Sequence, residues 1–388
     1  MKERKKRLAA LGLFCLLLSL LLLPVSGEAG EGELAAQEAE IADEWAAFQA
    51  AIPAEVAEFL PKDFFSSDMT AVGDGVAKGG TLRAVFRAVG QITGVTVTEN
   101  LALLAKICGI LVLCATLRAA GGTSGEVGGT LSLVSALAIT LLLFAGENAR
   151  FLKIERFFDT VHALSLSLIP LMGALYAMGG NVAAAVANHG VMSGFLAILE
   201  TLCSGAVMPV ASLCVALALL DAVTGRASLK SLSALIKRTF TVGLSFFMML
   251  LCFVLGVQQT LAKGGDTLAL RTVRFAAGSF LPVVGGSISE TLRTVAGSVE
   301  YLRGVVGMGG ILVVLFVFLP TFLSVLITRL TFLLGGAVAG LFGCTREERL
   351  LSELAGVWGY FLAVIACLFV MTVFSLTLFA HSAAAIGG

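Results

Sequence analysis

The sequence predicts an all-α protein, a polytopic transmembrane helical bundle, and three observations carry that prediction. Hydrophobic residues fill 58% of the 388 positions while Asp, Glu, Lys and Arg together reach only 13%, about half the charged share of a soluble domain. Several uninterrupted apolar runs approach or pass the roughly 18–20 residues that cross a bilayer. These runs are continuous in Leu, Val and Ala, unlike the alternating segments of about ten residues that build a membrane barrel. Hydrocarbon offers backbone groups no partner, so each run must satisfy its own N–H and C=O groups as a helix.

The N-terminus reads as an export signal. Lys2, Arg4, Lys5, Lys6 and Arg7 precede an apolar core, Leu8–Leu23, and then Pro24-Val25-Ser26-Gly27. That order predicts a signal peptide over residues 1–27, cleaved after Gly27 or Ala29 or kept as a signal anchor. Residues 28–98 form a second region. Glu28 to Leu60 carries nine acids and no base, the mark of a solvated, extracytoplasmic face. Leu34, Ile41, Trp45, Phe48, Ile52, Val56 and Phe59 recur at helical steps opposite Glu33, Glu38, Glu40 and Glu44. Pro53 and Pro61 are expected to break this amphipathic helix into pieces.

Residues 99–388 form the multi-span membrane domain. The apolar runs are Leu101–Leu117, Leu131–Ala145, Val161–Met178, Val191–Leu220, Phe240–Val257, Val305–Ile327 and Gly356–Phe379, with a shorter piece at Leu330–Gly343. The bases cluster at Arg150/Lys153/Arg156, Arg226/Lys230/Lys237/Arg238 and Lys263/Arg271/Arg274. A simple span count does not put all three clusters on one side, which leaves orientation open. Pro170, Pro209, Pro282 and Pro320 stand in similar apolar company, Pro170 to Pro282 and Pro209 to Pro320 being 112 and 111 residues apart. An internal repeat over 150–265 and 271–388 fits this spacing, with the four prolines as candidate hinges.

No nucleotide-binding loop, nucleophile elbow or paired catalytic carboxylates occur, so no catalytic residue and no cofactor site is assigned. His162, His189 and His381 are scattered and the eight cysteines form no CxxC pair, which leaves no metal site. Zero net charge argues against nucleic acid as a partner. Ionisable residues in or beside the runs are Lys106, Glu200, Asp221 and Arg329. Lys106 can reach the interface and Asp221 and Arg329 lie at run ends, whereas Glu200 is deep enough to require a polar contact within the membrane.

The strongest pattern is Pro282-Val283-Val284-Gly285-Gly286, then a Ser/Thr/Glu-bearing stretch to Arg303 and a Gly-rich entry to the proline-bearing run at Pro320. With the signal, the acidic lead and the repeated prolines, this resembles the stage III sporulation protein AE family over roughly residues 70–388. The resemblance implies a membrane subunit of a secretion-like apparatus between mother cell and forespore. It implies as partners the stage III sporulation proteins AA to AH and stage II sporulation protein Q, and it is compatible with a homo-oligomer in the lipid bilayer. It implies no catalytic residues. A free-standing secondary transporter is the alternative.

Within Gly286–Arg303, Ile288, Leu292, Val295, Val299 and Leu302 form one helical stripe, while Glu290, Thr294 and Ser298 occupy other faces. Glu290 with Arg293, and Glu300 with Arg303, are spaced to pair along the helix surface. The segment is too polar to cross lipid alone. It is either an interfacial connecting helix or the polar lining of a water-filled space, with Pro282, Gly285 and Gly286 forming the turn that sets its angle.

Overall fold

The computed structural model describes residues 31–66, 68–120, 125–179, 186, 190, 193–194, 198, 203–224, 231–250, 252–254, 256–257 and 285–380. Two compact units result, Met1–Asp43 and Glu44–Gly388. The described part of the first is the beginning of α1 (Glu31–Ala50), whose residues from Glu44 onward belong to the other unit. Among the described residues there is no strand.

A chain of short elements follows α1. They are α2 (Ala54–Ala57), a 3-10 turn over Lys62–Phe65, and α3 (Met69–Gly79). Pro53 and Pro61 stand immediately before α2 and the 3-10 turn, because a fixed φ suits a helix start and the missing N–H costs nothing there. Asp68 caps α3 by accepting from the Thr70 amide at 2.9 Å and from its hydroxyl at 2.7 Å. Those two bonds, the hydroxyl's first, hold the Asp68 carboxyl below the usual carboxylate range.

The long helices come next: α4 (Leu82–Ala120), α5 (Gly125–Met178), α6 (Met208–Thr224, entered through a π turn at Cys203–Val207), α7 (Ser231–Val254), α8 (Gly285–Leu341) and α9 (Thr345–Ala380). Among the described residues five stretches are long and apolar enough to cross a bilayer: Arg83–Thr116, Ala149–Met178, Ser231–Val254, Gly297–Leu341 and Thr345–Ala380. The architecture is a multi-pass helical membrane protein, as the composition predicts.

Two boundaries differ from the sequence reading. Leu131–Ala145 and Val161–Met178 lie on the single 54-residue α5, and Val305–Ile327 and all but the last two residues of Leu330–Gly343 lie on the single 57-residue α8. The reason is local. The charged connections at 147–160 and at Arg329 contain no proline, and Glu, Arg and Lys are good helix formers. The helix therefore runs through them. At 1.5 Å per residue, α8 is about 85 Å long, well beyond the roughly 30 Å of a hydrocarbon core.

α8 and α9 pack as an antiparallel pair. Their hairpin is closed by Gly343 at φ +66°, with the Cys344 amide bonded to Ala339 O at 2.8 Å and the Gly343 amide to Gly340 O at 3.0 Å. This is the two-bond ending that a left-handed residue just past a helix makes possible. Small residues set the spacing along the pair. A β-carbon on Gly307 would collide with Ala380, and one on Gly310 would lie 3.1 Å from a Leu376 methyl. α5 runs antiparallel to α8, with Phe157 edge-on to Phe318 at 4.9 Å. α4 runs parallel to it, with Leu104 and Ile107 beside Gly335. α6 lies antiparallel and α7 parallel to α9, fixed by Tyr360–Val207 and by Phe240–Tyr360.

The segment after Asp43 is seated on α8. Trp45 contacts Phe48 and Phe64 at centroid distances of 5.4 and 5.2 Å, and Phe59 stacks on Phe316 at 6.0 Å. Gln49 Nε2 donates to Phe64 O at 2.8 Å and closes the nest. The seat depends on Gly309, where a β-carbon would meet Phe64, Val76 and Trp45 at 3.2–3.4 Å. Gly309→Leu is therefore expected to overpack the seat and cost about 1–3 kcal/mol. Faster proteolysis between Ala50 and Met69 in the purified protein would register the loss. Unchanged cleavage there would show that Gly309 does not hold the segment.

Candidate functional site

Buried polar contacts tie the apolar helices together at three levels. The first is Arg303, which is 0% exposed. Its Nε and Nη2 donate to Leu175 O at 3.1 and 2.9 Å, and Nη2 also reaches Tyr176 O at 3.3 Å. The guanidinium lies over the Tyr176 ring at 5.0 Å. Leu175 and Tyr176 belong to the last turn of α5, where the negative end of its dipole lies, and the Gly179 amide also reaches Leu175 O at 3.3 Å. Arg303 thus adds donors and a positive charge at the end of α5. Gly179 makes the approach possible, since a β-carbon there would overlap the guanidinium. The spacing of Glu300 and Arg303 lets them pair along the helix, and the structure adds a second set of partners: Glu300 is exposed, while the Arg303 guanidinium points inward to a helix 128 residues away in sequence.

At the second level Arg150 Nη1 bonds Asn100 Oδ1 at 3.4 Å and Thr328 Oγ1 at 3.3 Å, and Thr328 Oγ1 donates to Asn100 Oδ1 at 3.2 Å. Asn100 Nδ2 returns to Thr96 O at 2.9 Å. One residue each from α4, α5 and α8 closes the triangle. Asn100 and Thr328 are buried, so the contact fixes the helices' depth relative to one another.

The third level joins α7 to α9. Lys237 Nζ meets Glu353 Oε2 at 3.1 Å, and Ser233 Oγ donates to the same oxygen at 3.3 Å. The side chains are 13% and 7% exposed for Lys237 and Glu353. Cys214 of α6 abuts this cluster. Gly356 leaves room for the ammonium, because a β-carbon there would come within 2.7 Å of Nζ. The sequence reading treated both neighbourhoods as charged connections between spans. In the structure they are the opening turns of α7 and α9.

A different surface lies on α4 and α5. Glu99, Lys106, Lys153, Glu155, Arg156 and Asp159 are exposed. Glu155, Arg156 and Asp159 flank Phe157, whose partner Phe318 lies within the charge-free stretch 304–328 of α8. Exposed charges therefore occupy the same depth as the apolar centre of α8.

The sequence-derived candidates fall as follows. Glu200 and Pro282 lie outside the described residues. Gly285 and Gly286 begin α8, which also carries Glu290, Arg293 and Thr294, whose side chains lie outside the described residues. Ser298 is exposed on the same helix. Pro170 and Pro320 are inside α5 and α8, where each removes one helical bond. Pro209 is the second residue of α6. With Pro282 undescribed, the 115-residue repeat is not confirmed. Asp221, read as a run end, is 3% exposed on α6. Cys108, Cys114, Cys214, Cys252, Cys344 and Cys367 are free thiols, and no cluster of three or more potential metal ligands occurs among the described residues.

A family model described as stage III sporulation protein AE matches residues 69–383. The chain belongs to that family. Its matched stretch takes in α3 to α9, including the Arg303, Arg150 and Lys237 contacts. A member of the family from Bacillus subtilis (strain 168), named stage III sporulation protein AE, is 28% identical over 157 residues. That alignment covers 40% of this chain and 39% of the relative. No solved structure matches. Family and architecture together make this a multi-pass sporulation membrane protein.

The Lys237–Glu353 pair separates the cost of breaking a buried ion pair from that of replacing it. Lys237→Met alone strands a carboxylate and is expected to destabilise by about 3–5 kcal/mol, whereas Lys237→Met with Glu353→Leu should recover most of the loss. Thermal unfolding in detergent measures both. A double variant as unstable as the single one would mean that the pair contributes more than mutual neutralisation.

Proposed function

We propose that this protein is a non-enzymatic membrane subunit of a trans-envelope, secretion-like channel between mother cell and forespore, needed for endospore formation and late forespore gene expression. On this reading it lies in the mother-cell membrane around the forespore, with residues 1–27 as its signal and residues 28–98 extracytoplasmic. It works with the stage III sporulation proteins AA to AH and stage II sporulation protein Q. Family membership supports the sporulation role. One observation supports the channel role: Glu155, Arg156 and Asp159 are exposed at the depth of Phe318. A charged residue facing hydrocarbon costs about 3 kcal/mol or more on insertion scales. Three together are better accommodated against water, as they would be along a conduit completed by neighbouring subunits.

Thiol labelling tests that assignment. Arg156→Cys and Asp159→Cys are expected to react with a membrane-impermeant reagent in assembled sporangial membranes, while Phe253→Cys, at an exposed apolar position of α7, does not. Equal protection at all three positions would sink the channel reading. Purification addresses the transporter alternative. A channel subunit should bring partners with it and move no solute alone in liposomes.

The helix preceding Arg303 carries a further expectation. A variant combining Glu290→Ala, Thr294→Leu and Ser298→Leu should accumulate in the membrane yet lower spore yield if this face lines the conduit or meets a partner. Normal yield would leave it a connecting helix.

A further inference from the structure

One line of residues on α5 is exposed from one end of its apolar span to the other. Within Ala149–Met178, a stretch long and apolar enough to cross a bilayer, Leu152, Arg156, Asp159, Ala163, Leu166 and Pro170 are exposed and follow one another at steps of four, three, four, three and four. Ala177 continues the line, and after Arg156 no residue of α5 is exposed off it. A mean step of about 3.5 residues is the period at which two helices stay in contact as a left-handed pair.

Lipid does not suit this face. α7 shows a lipid-facing surface in the same protein, where Leu235, Phe246, Met249 and Phe253 are large, apolar and exposed. The α5 line instead carries two charges, which are costly against hydrocarbon. It also carries the small side chains of Ala163 and Ala177, which let another helix approach closely. The charges select the occupant. Lys153 meets Glu99 at 3.9 Å, but Arg156 and Asp159 make no ion pair among the described residues. They occupy adjacent layers of the line. Copies of one membrane protein share an orientation, so two α5 helices would pack parallel about a two-fold axis along the membrane normal. Each Arg156 then reaches Asp159 of the other copy, and both pairs close together, as an isologous contact requires. An unrelated helix would need opposite charges at matching heights.

We infer that α5 is a self-association face, where a second copy of this chain docks along Leu152–Ala177 and Arg156 and Asp159 exchange ion pairs. As the neighbour that completes the conduit, the second copy rests on the channel reading, but the contact itself is tested apart from it. The backbones come closest at Ala163 and Ala177. The charged layers lie to one side of that approach, where water stays around the paired side chains.

Disulfide cross-linking of the full chain in sporangial membranes tests the contact. Oxidation of Leu166→Cys should give a dimer of the chain, while Phe253→Cys on α7 and the unaltered chain with its native cysteines give background only. Charge reversal tests the occupant. Arg156→Asp sets like charges against one another and should lower the cross-linked fraction by about tenfold, as should Asp159→Arg. Combining the two reversals restores opposite charges and should recover the dimer, because one altered chain supplies both sides of the contact. Ala163→Phe leaves the charges in place and holds the backbones apart. It should abolish the dimer too, which gives a second reading if a reversal fails to accumulate. A Leu166→Cys product no stronger than that of Phe253→Cys would overturn the inference, as would cross-linking to a protein of another mass or a dimer that the double reversal does not recover. Cross-linking without reagent access at Arg156→Cys would uphold the pair and sink the channel, whereas access without cross-linking would uphold the channel and overturn the pair.

Discussion

A buried arginine closing the end of another helix is a severe demand on a membrane fold, and the upper part of this one is arranged around it. Arg303 brings a full positive charge into a site with 0% exposure. It is tolerable there because the carbonyls of Leu175 and Tyr176 converge on it and the Tyr176 ring covers it. The requirement propagates. α5 must end at Met178, Gly179 must present no side chain, and α8 must be helical well before its apolar stretch so that residue 303 comes in at the right height. Phe379 stacks edge-on against Tyr176 at 5.3 Å, so the end of α9 is held by the same contact. The ends of α5 and α9 are thereby gathered at one side chain of α8.

Further along the axis, polar contacts replace shape as the source of register. Leu, Val and Ala offer little to distinguish one depth of packing from another, and lipid tails compete with them on equal terms. Asn100, Arg150 and Thr328 form bonds that exist at only one relative height of α4, α5 and α8. Lys237 and Glu353 do the same for α7 and α9. Between these fixed levels the glycines of α8 set distance, at Gly307 and Gly310 against α9 and at Gly335 against α4.

What could be read beforehand was what repeats at short range. The stripe of Trp45, Phe48, Ile52 and Val56 has helical period, and all four side chains are buried in the structure. Pro53 and Pro61 break the helix where a proline must. Continuity of α5 and α8 was harder to see, because charged residues look like loops to a hydropathy reading while favouring helix by propensity. The inward partners of Arg303 were hidden for a different reason. Its partner carbonyls are backbone atoms 127–128 residues away, and no side-chain pattern marks them. The same holds for Lys237 and Glu353, 116 residues apart. Their charges were visible in the sequence, but their pairing depends on how α7 and α9 align.

The unbroken run of α8 from Gly285 to Leu341 also has a mechanical meaning. A helix of that length resists bending except where a bond is missing, and Pro320 removes the one that Phe316 O would accept. Pro320 lies nearly midway between Arg303, anchored to α5, and Gly335, packed against α4 and α9. Both arms are held by α5 and α9, the upper through Arg303, Gly307 and Gly310 and the lower through Thr328 and Gly335. Phe318, two residues before the proline, is itself wedged between Phe157 of α5 and Phe369 of α9. The softest joint of the longest helix is thus splinted on both sides inside the apolar core.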